Sequence, residues 1–201
     1  MEKAKEIILS TYLFRGVSEA LEGITFNEIK TFKKGEIIYD ENFFSKSIGI
    51  VISGKAKAVS LSGAGLLSYF ETGSIFGAAA VFGESSDYIS RIEAVKECTV
   101  AFIPQDTLTE IFKRFPKVAV NYISFISSRI RFLNEKLSFM MQDSAEARLY
   151  AYLHKRGGYE GKMTALADAL CIGRTTLYRT LENLEQNNLI TRKGTKVKVI
   201  L

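Results

Sequence analysis

Residues 166–190 read LADALCIGRTTLYRTLENLEQNNLI, two short helical patterns separated by a three-residue break. The first covers 165–170, the break is Cys171-Ile172-Gly173, and the second runs Arg174–Gln186. In the second pattern Leu177, Leu181 and Leu184 recur at helical spacing and give one apolar face. Arg174, Thr175, Tyr178, Arg179 and Glu182 occupy the opposite face. In a helix-turn-helix the first helix braces the second, whose exposed N-terminal residues lie against base edges in the major groove of DNA. Arg174 and Arg179 carry forked donors that match guanine O6 and N7 or a phosphate, and Thr175 and Thr176 suit phosphates or a thymine methyl. After Asn187-Asn188, predicted strands at 189–191 and 196–201 flank a basic tip, Arg192-Lys193-Gly194-Thr195. The expected DNA contacts are therefore Arg174, Thr175, Thr176, Tyr178 and Arg179, with Lys193 and Lys196 of the hairpin reaching phosphates.

Upstream, a helix is expected at 145–155, ended by Arg156-Gly157-Gly158. A break at 142–144 separates it from a longer helix that opens at Pro116, because proline at the first helical position loses no intrahelical hydrogen bond. In that helix Ala119, Ile123, Ile126, Ile130, Leu133, Leu137 and Met140 keep an unbroken alternation of fours and threes. Such spacing holds one narrow seam on one face and suits a partner helix in a parallel dimer, with Ile123, Ile126, Ile130, Leu133 and Leu137 at the interface. The alternative is a single amphipathic helix packed on its own sheet. A shorter helix is expected at 105–115, and another at 4–13.

Between them the pattern changes to short β-rich runs at 48–53, 55–61, 66–70, 89–95 and 99–103. Gly35, Gly54, Gly63, Gly65, Gly73, Gly77 and Gly83 punctuate them as the turns of an antiparallel barrel or roll require. The expected fold is α+β: a sensor roll at 1–115, a dimerisation helix at 116–142, and a winged helix-turn-helix at 143–201.

Charge follows this division. The net charge is +5, yet residues 1–142 carry 17 Lys and Arg against 16 Asp and Glu, while residues 143–201 carry 10 against 6. A small basic unit suits a polyanion, since neutralising phosphates releases condensed counterions. The longest apolar stretches, such as 78–82, are far too short to cross a bilayer, and the mixed-charge N-terminus lacks the pattern of a secretory signal. A cytoplasmic protein is expected. Cys98 and Cys171, both expected to be buried, form neither a disulfide framework nor a metal pair, and the single histidine is His154. The roll has no histidine for a cupin-type metal centre, and the chain has no GxSxG elbow and no GxxxxGK[ST] loop. These counts argue against an enzyme.

The run at 166–190 resembles the winged helix-turn-helix of the Crp/Fnr superfamily of bacterial transcription regulators. Phe32-Lys33-Lys34-Gly35-Glu36-Ile37-Ile38 and Gly49-Ile50-Val51-Ile52-Ser53-Gly54-Lys55-Ala56-Lys57 resemble the opening of that family's cyclic-nucleotide-binding-like roll. Gly73-Ser74-Ile75-Phe76-Gly77 resembles its effector loop. The resemblance implies a homodimer that binds a pseudo-palindromic DNA operator, with RNA polymerase as a partner and an effector that reorients the DNA-binding units. It places an effector pocket at Phe76, Gly77, Ala78, Tyr88 and Ile89, with Leu133 and Asn134 of the long helix. Where cyclic-nucleotide-binding members carry a Glu after the loop glycine and an Arg on the cyclic phosphate, this chain has Ala78 and Tyr88, so the phosphate loses its charged partner. Cyclic AMP is therefore not expected. An iron-sulfur cluster needs about four cysteines, and His154 lies too far along the chain for a haem in the roll. A small organic effector, or none, is left. The competing reading is a ligand-binding module that acts through a protein partner without touching DNA.

Overall fold

The computed structural model describes residues 2–22, 28–42, 44–61, 66–83 and 90–200, and it divides into two compact units, Met1–Ser128 and Arg129–Leu201. In the first, helix α1 (Glu2–Ser10) and two 3-10 turns (Tyr12–Phe14 and Ser18–Leu21) precede six strands. These are β1 (Ile29–Phe32), β2 (Ile37–Tyr39), β3 (Ser47–Ser60), β4 (Leu66–Glu71), β5 (Ile75–Phe76) and β6 (Ser90–Pro104). They pair antiparallel in the order β1-β6-β3-β4, with β2 added to β6 and β5 to β3. The long strands β3 and β6 form the spine, from Ser47 opposite Pro104 to Ser60 opposite Ser90.

Two cores lie on opposite faces of this sheet. Ile48, Ile50, Ile52, Ala101 and Ile103 face a helical layer that includes Ile8, Leu13, Phe14, Leu108, Ile111 and Val118. Val51, Ala56, Ala58, Ile92, Ala94, Cys98, Val100 and Phe102 face the interior of the roll with Tyr39 and Phe76. In β3 the inward positions switch from odd to even numbers across Gly54, where the register shifts. Gly54 has φ +94°, and a Cβ there would lie 2.1 Å from the Glu97 carbonyl oxygen. The residue is thus a bulge inside one strand rather than a turn between two, so the expected pair at 48–53 and 55–61 is one strand, β3. The runs at 89–95 and 99–103 likewise merge into β6, while Ile89, Gly63 and Gly65 lie outside the described residues.

Helix α2 (Gln105–Arg114) matches its expected range, and α3 (Pro116–Met140) starts on the proline. Helix α1 stops at Ser10, short of the expected 13, because the chain turns extended at Thr11 and tightens into the Tyr12–Phe14 turn. Over its first turns α3 buries Val118 and packs Tyr122, Phe125 and Ile126 on the helical layer. Buried Asn121 donates from Nδ2 to the carbonyls of Leu13 and Arg15, both at 3.0 Å. The heptad seam is split: Ile126 packs on the helical layer, whereas Ile123 is 63% exposed and Ile130 53%, and Leu133, Leu137 and Met140 are exposed as well.

In the second unit α4 (Ala145–Arg156) is capped by Ser144, whose Oγ accepts from the Ala147 amide at 3.0 Å, and closed by left-handed Gly157. Strand β7 (Tyr159–Glu160), helices α5 (Met163–Leu170) and α6 (Arg174–Gln186), and strands β8 (Ile190–Lys193) and β9 (Lys196–Val199) follow. The strands pair β7-β9-β8, all antiparallel. Leu149, Leu153, Leu166, Leu170, Leu177, Leu181, Leu184, Ile190 and Val197 form the core, joined by Phe139 from the end of α3. Gly158 lets β7 approach β9, since a Cβ there would sit 2.5 Å from the Val197 carbonyl oxygen.

Three expectations change here. Arg192 and Lys193 belong to β8, so the hairpin tip is Gly194-Thr195 alone, with Gly194 at φ +62°. Strand β7 adds an edge that two residues of alternation are too short to announce. Cys171 is exposed, unlike buried Cys98, because it takes the left-handed position (φ +53°) at the end of α5 and its side chain turns outward.

Candidate nucleic-acid interface

The turn between α5 and α6 is built from main-chain bonds. Cys171 N donates to Asp168 O at 3.2 Å and Ile172 N to Ala167 O at 3.1 Å, a pattern that closes a helix around a left-handed residue. Gly173 then starts α6 without a side-chain cap, so the first amides of α6 keep their hydrogens for an outside acceptor. Leu177, Leu181 and Leu184 are almost completely buried and fix which face of α6 looks outward.

That outward face carries Arg174, Thr175, Tyr178, Arg179 and Glu182, all exposed. Thr176 is half-buried, and its carbonyl accepts from the hydroxyl of buried Thr180. Neither Arg174 nor Arg179 enters an ion pair among the described residues, whereas several neighbouring cations do. Arg192 lies 3.7 Å from Glu185 through Nε, and its amide donates to the same carboxylate at 3.1 Å, which ties β8 to the last turn of α6. Lys196 Nζ lies 2.6 Å from Glu160 Oε2, and that contact holds the Glu160 carboxyl below the usual carboxylate range. Lys193, directly opposite Lys196 in the ladder, is exposed, as is Lys198 on the outward side of β9. Sequence reading singled out Lys193 and Lys196 alike; the structure leaves Lys193 unpaired among the described residues, engages Lys196 with Glu160, and adds Lys198. The alternation Lys196, Val197, Lys198, Val199 was the available signal for Lys198.

Of the predicted effector residues, Phe76, Gly77 and Ala78 are described in the first unit. Phe76 is a core side chain, opposite Gly49 in the β3–β5 ladder, and its ring covers the space above that glycine so closely that a Cβ would lie 2.2 Å away. The rings of Tyr39 and Phe70 stand 5.5 Å from it and Phe102 6.4 Å. Gly77 is left-handed, at φ +77°, and a Cβ there would meet the Ser47 carbonyl oxygen at 2.8 Å. Ala78 is buried toward the helical layer, and its carbonyl accepts from the Tyr122 hydroxyl at 2.5 Å. Burial pushes the Tyr122 phenol up to about 12, so it stays a donor. Tyr88 and Ile89 lie outside the described residues, and Leu133 and Asn134 are exposed on α3 in the second unit. A groove of about 450 Å³ opens beside β1 and β2, lined by Glu28, Lys30, Phe32, Tyr39, Phe44 and Phe102 among others.

Among the described residues, those facing the roll interior along its spine are apolar. The inward positions of the spine are Val51, Ala56, Ala58, Ile92 and Ala94, none of which can partner a phosphate, and Arg91 lies on the other side of β6, between Ile92 and buried Ser90 in the alternation. Among the described residues no group of three or more His, Cys, Asp or Glu is arranged to hold a metal ion, and no helix is long and apolar enough to cross a membrane. His154 is exposed on α4, beside the ring of Tyr150.

Residues 29–115 match the family described as the cyclic nucleotide-binding domain. Over 186 residues the chain is 22% identical to the regulatory protein HlyX of Actinobacillus pleuropneumoniae, covering 85% of this chain and 77% of that protein. Together these similarities make the chain resemble regulators of the Crp/Fnr superfamily. Solved structures share the fold. CprK complexed with OCPA superposes with a TM-score of 0.67 at 16% identity, over 90% of this chain and 91% of that one. The catabolite activator protein of Thermus thermophilus gives 0.56 at 20% identity, over 94% of each chain. The curated relatives it matches are regulatory proteins rather than enzymes, and the expected α+β order of roll, long helix and helix-turn-helix is the order observed.

Proposed function

We propose that this chain is a homodimeric, sequence-specific DNA-binding regulator of transcription that acts in the cytoplasm. Residues 1–115 sense, 116–142 join the dimer, and 143–201 bind a pseudo-palindromic operator. The observation that carries the reading is the outward face of α6, where Arg174 and Arg179 stand exposed and unpaired among the described residues while Arg192 and Lys196 beside them are engaged. A dimer places two such helices about 34 Å apart, one turn of the duplex, so both enter successive major grooves. Thr175, Thr176 and Tyr178 add backbone and thymine contacts, and Lys193 extends the phosphate track. RNA polymerase is the partner through which a bound dimer acts on transcription.

Control lies with a small organic effector other than a cyclic nucleotide, or with no effector. The aromatic packing around Phe76 supports the first half of that statement: a cyclic nucleotide would have to displace the ring and leave its phosphate without a cation.

Selection of bound duplexes from a random pool tests the DNA reading. The wild type enriches a two-fold symmetric motif. Arg174→Ala and Arg179→Ala each relax preference at one base position by about 1–3 kcal/mol while the dimer stays folded. An identical profile for the wild type and both variants overturns the assignment. Failure of any duplex to bind at low salt favours a module that works through a protein partner.

A further inference from the structure

Arg148 stands in the first half of α4, and its guanidinium reaches the ends of two other helices. Nη1 donates to Leu170 O at 3.2 Å and Nη2 to Met140 O at 3.3 Å. Met140 is the last residue of α3, and Leu170 is the last of α5, immediately before the turn into the recognition helix. Nε is buried and finds no acceptor among the described residues, so the two outer nitrogens alone hold the group in place.

Both carbonyls depend on it. The final carbonyls of α3 are each satisfied by a separate donor: Leu137 by the Met141 amide at 3.0 Å, Ser138 by the Gln142 side chain at 3.3 Å, and Phe139 by the Gln142 amide at 3.1 Å. Met140 is then served by Arg148. At the end of α5 the carbonyls of Ala167 and Asp168 accept from Ile172 and Cys171, and Leu170 is again served by Arg148. Helix C-termini carry partial negative charge, and a cation placed against two of them at once gains from both. Phe139 anchors the same end of α3 in the core through Tyr152, at 5.3 Å between ring centroids. A ring contact of that kind tolerates rotation and sliding, whereas two directed hydrogen bonds from one planar group do not.

We propose that Arg148 is a positioning residue that fixes the angle between the last turn of α3 and the helix-turn-helix, and so sets the separation of the two recognition helices in the dimer. The inference rests on the reading of the chain as a dimeric DNA binder. It assigns to one side chain the stiffness that lets the dimer discriminate half-site spacing. The residues that touch DNA then set sequence preference, and Arg148 sets spacing preference.

The test uses the full chain as wild type, Arg148→Met and Arg148→Lys. It measures affinity for duplexes whose half-sites are moved apart or together one base pair at a time, and for a duplex with a single half-site. The wild type shows a sharp optimum. Arg148→Met flattens it, with affinity at the optimal spacing falling about tenfold while single-half-site affinity changes less than about twofold. Arg148→Lys, which can reach only one carbonyl at a time, gives an intermediate profile. A merely structural role would lower both affinities together. If Arg148→Met fails to fold, Arg148→Lys carries the test. A folded variant that keeps the wild-type spacing profile overturns the inference, and so does an equal loss on single and paired half-sites. A wild type that binds no duplex refutes the DNA-binding reading and this inference with it, which separates the two failures.

Discussion

Replacing Ile130 by alanine tests the proposed dimer seam apart from the fold. The side chain is 53% exposed and belongs to none of the packed cores of the chain, so the variant monomer loses almost nothing. In a parallel two-stranded dimer that exposed half is the area the partner covers. Full burial of an isoleucine contributes roughly 1.5–3 kcal/mol, so covering half contributes about 0.8–1.5 kcal/mol per protomer. The two-fold axis repeats the loss, giving about 1.5–3 kcal/mol per dimer, or a dissociation constant about 10- to 160-fold weaker. Sedimentation equilibrium over a concentration series reads the constant, and thermal melting of dilute monomer should not move. Ile126→Ala is the informative control. Ile126 packs partly on the helical layer, so its loss should weaken the dimer and lower the monomer's melting temperature as well. An unchanged dissociation constant for Ile130→Ala would show that the exposed stripe of Ile123, Ile130, Leu133 and Leu137 is not the interface.

Two further outcomes probe the roll. Gly49→Ala places a methyl 2.2 Å from the Phe76 ring, which Tyr39, Phe70 and Phe102 prevent from retreating, and should cost about 1–3 kcal/mol or more in urea denaturation. Adding Phe76→Leu should restore part of that loss, and a wild-type midpoint for Gly49→Ala would reveal free space where the ring now stands, room enough to reconsider an effector there. Tyr122, held up to about 12 in the fold, ionises near 10 once unfolded, so its stabilisation is complete below pH 10 and fades as pH climbs toward 12. The difference in unfolding midpoint between wild type and Tyr122→Phe, measured from pH 8 to 12, should therefore shrink with rising pH; a constant difference would sever the link between that phenol and the Ala78 carbonyl.

What could be read from the sequence was whatever repeats at a period the backbone imposes. Leu177, Leu181 and Leu184 announced both α6 and its buried face, while the fours and threes from Ala119 to Met140 marked a stripe that is largely exposed but includes Ile126, which α3 turns to its own core. Period alone does not distinguish a glycine that ends a strand from one that bulges it. Gly54 was therefore legible as an interruption but not as the point where β3 exchanges its inward and outward positions. Cys171 shows the same limit. Its apolar neighbours made it look buried, while the left-handed backbone that turns it outward belongs to the closing of α5.

Side chains that reach across the fold leave no period at all. Asn121 meets carbonyls 106 and 108 positions away, and Arg148 holds two helix ends that lie on either side of it in the chain. The cations of the second unit make the consequence plain. Arg148, Arg174, Arg179, Arg192 and Lys196 count equally toward its basic excess, yet Arg148 is committed to carbonyls, Arg192 to Glu185 and Lys196 to Glu160. On the proposed DNA-binding reading, composition thus overstates the charge on offer, because the fold divides the cations into those engaged with carbonyls or carboxylates and those that α6 presents. That division predicts unlike phenotypes from substitutions that look alike in sequence: loss of base preference at Arg174 and Arg179, and loss of spacing preference at Arg148.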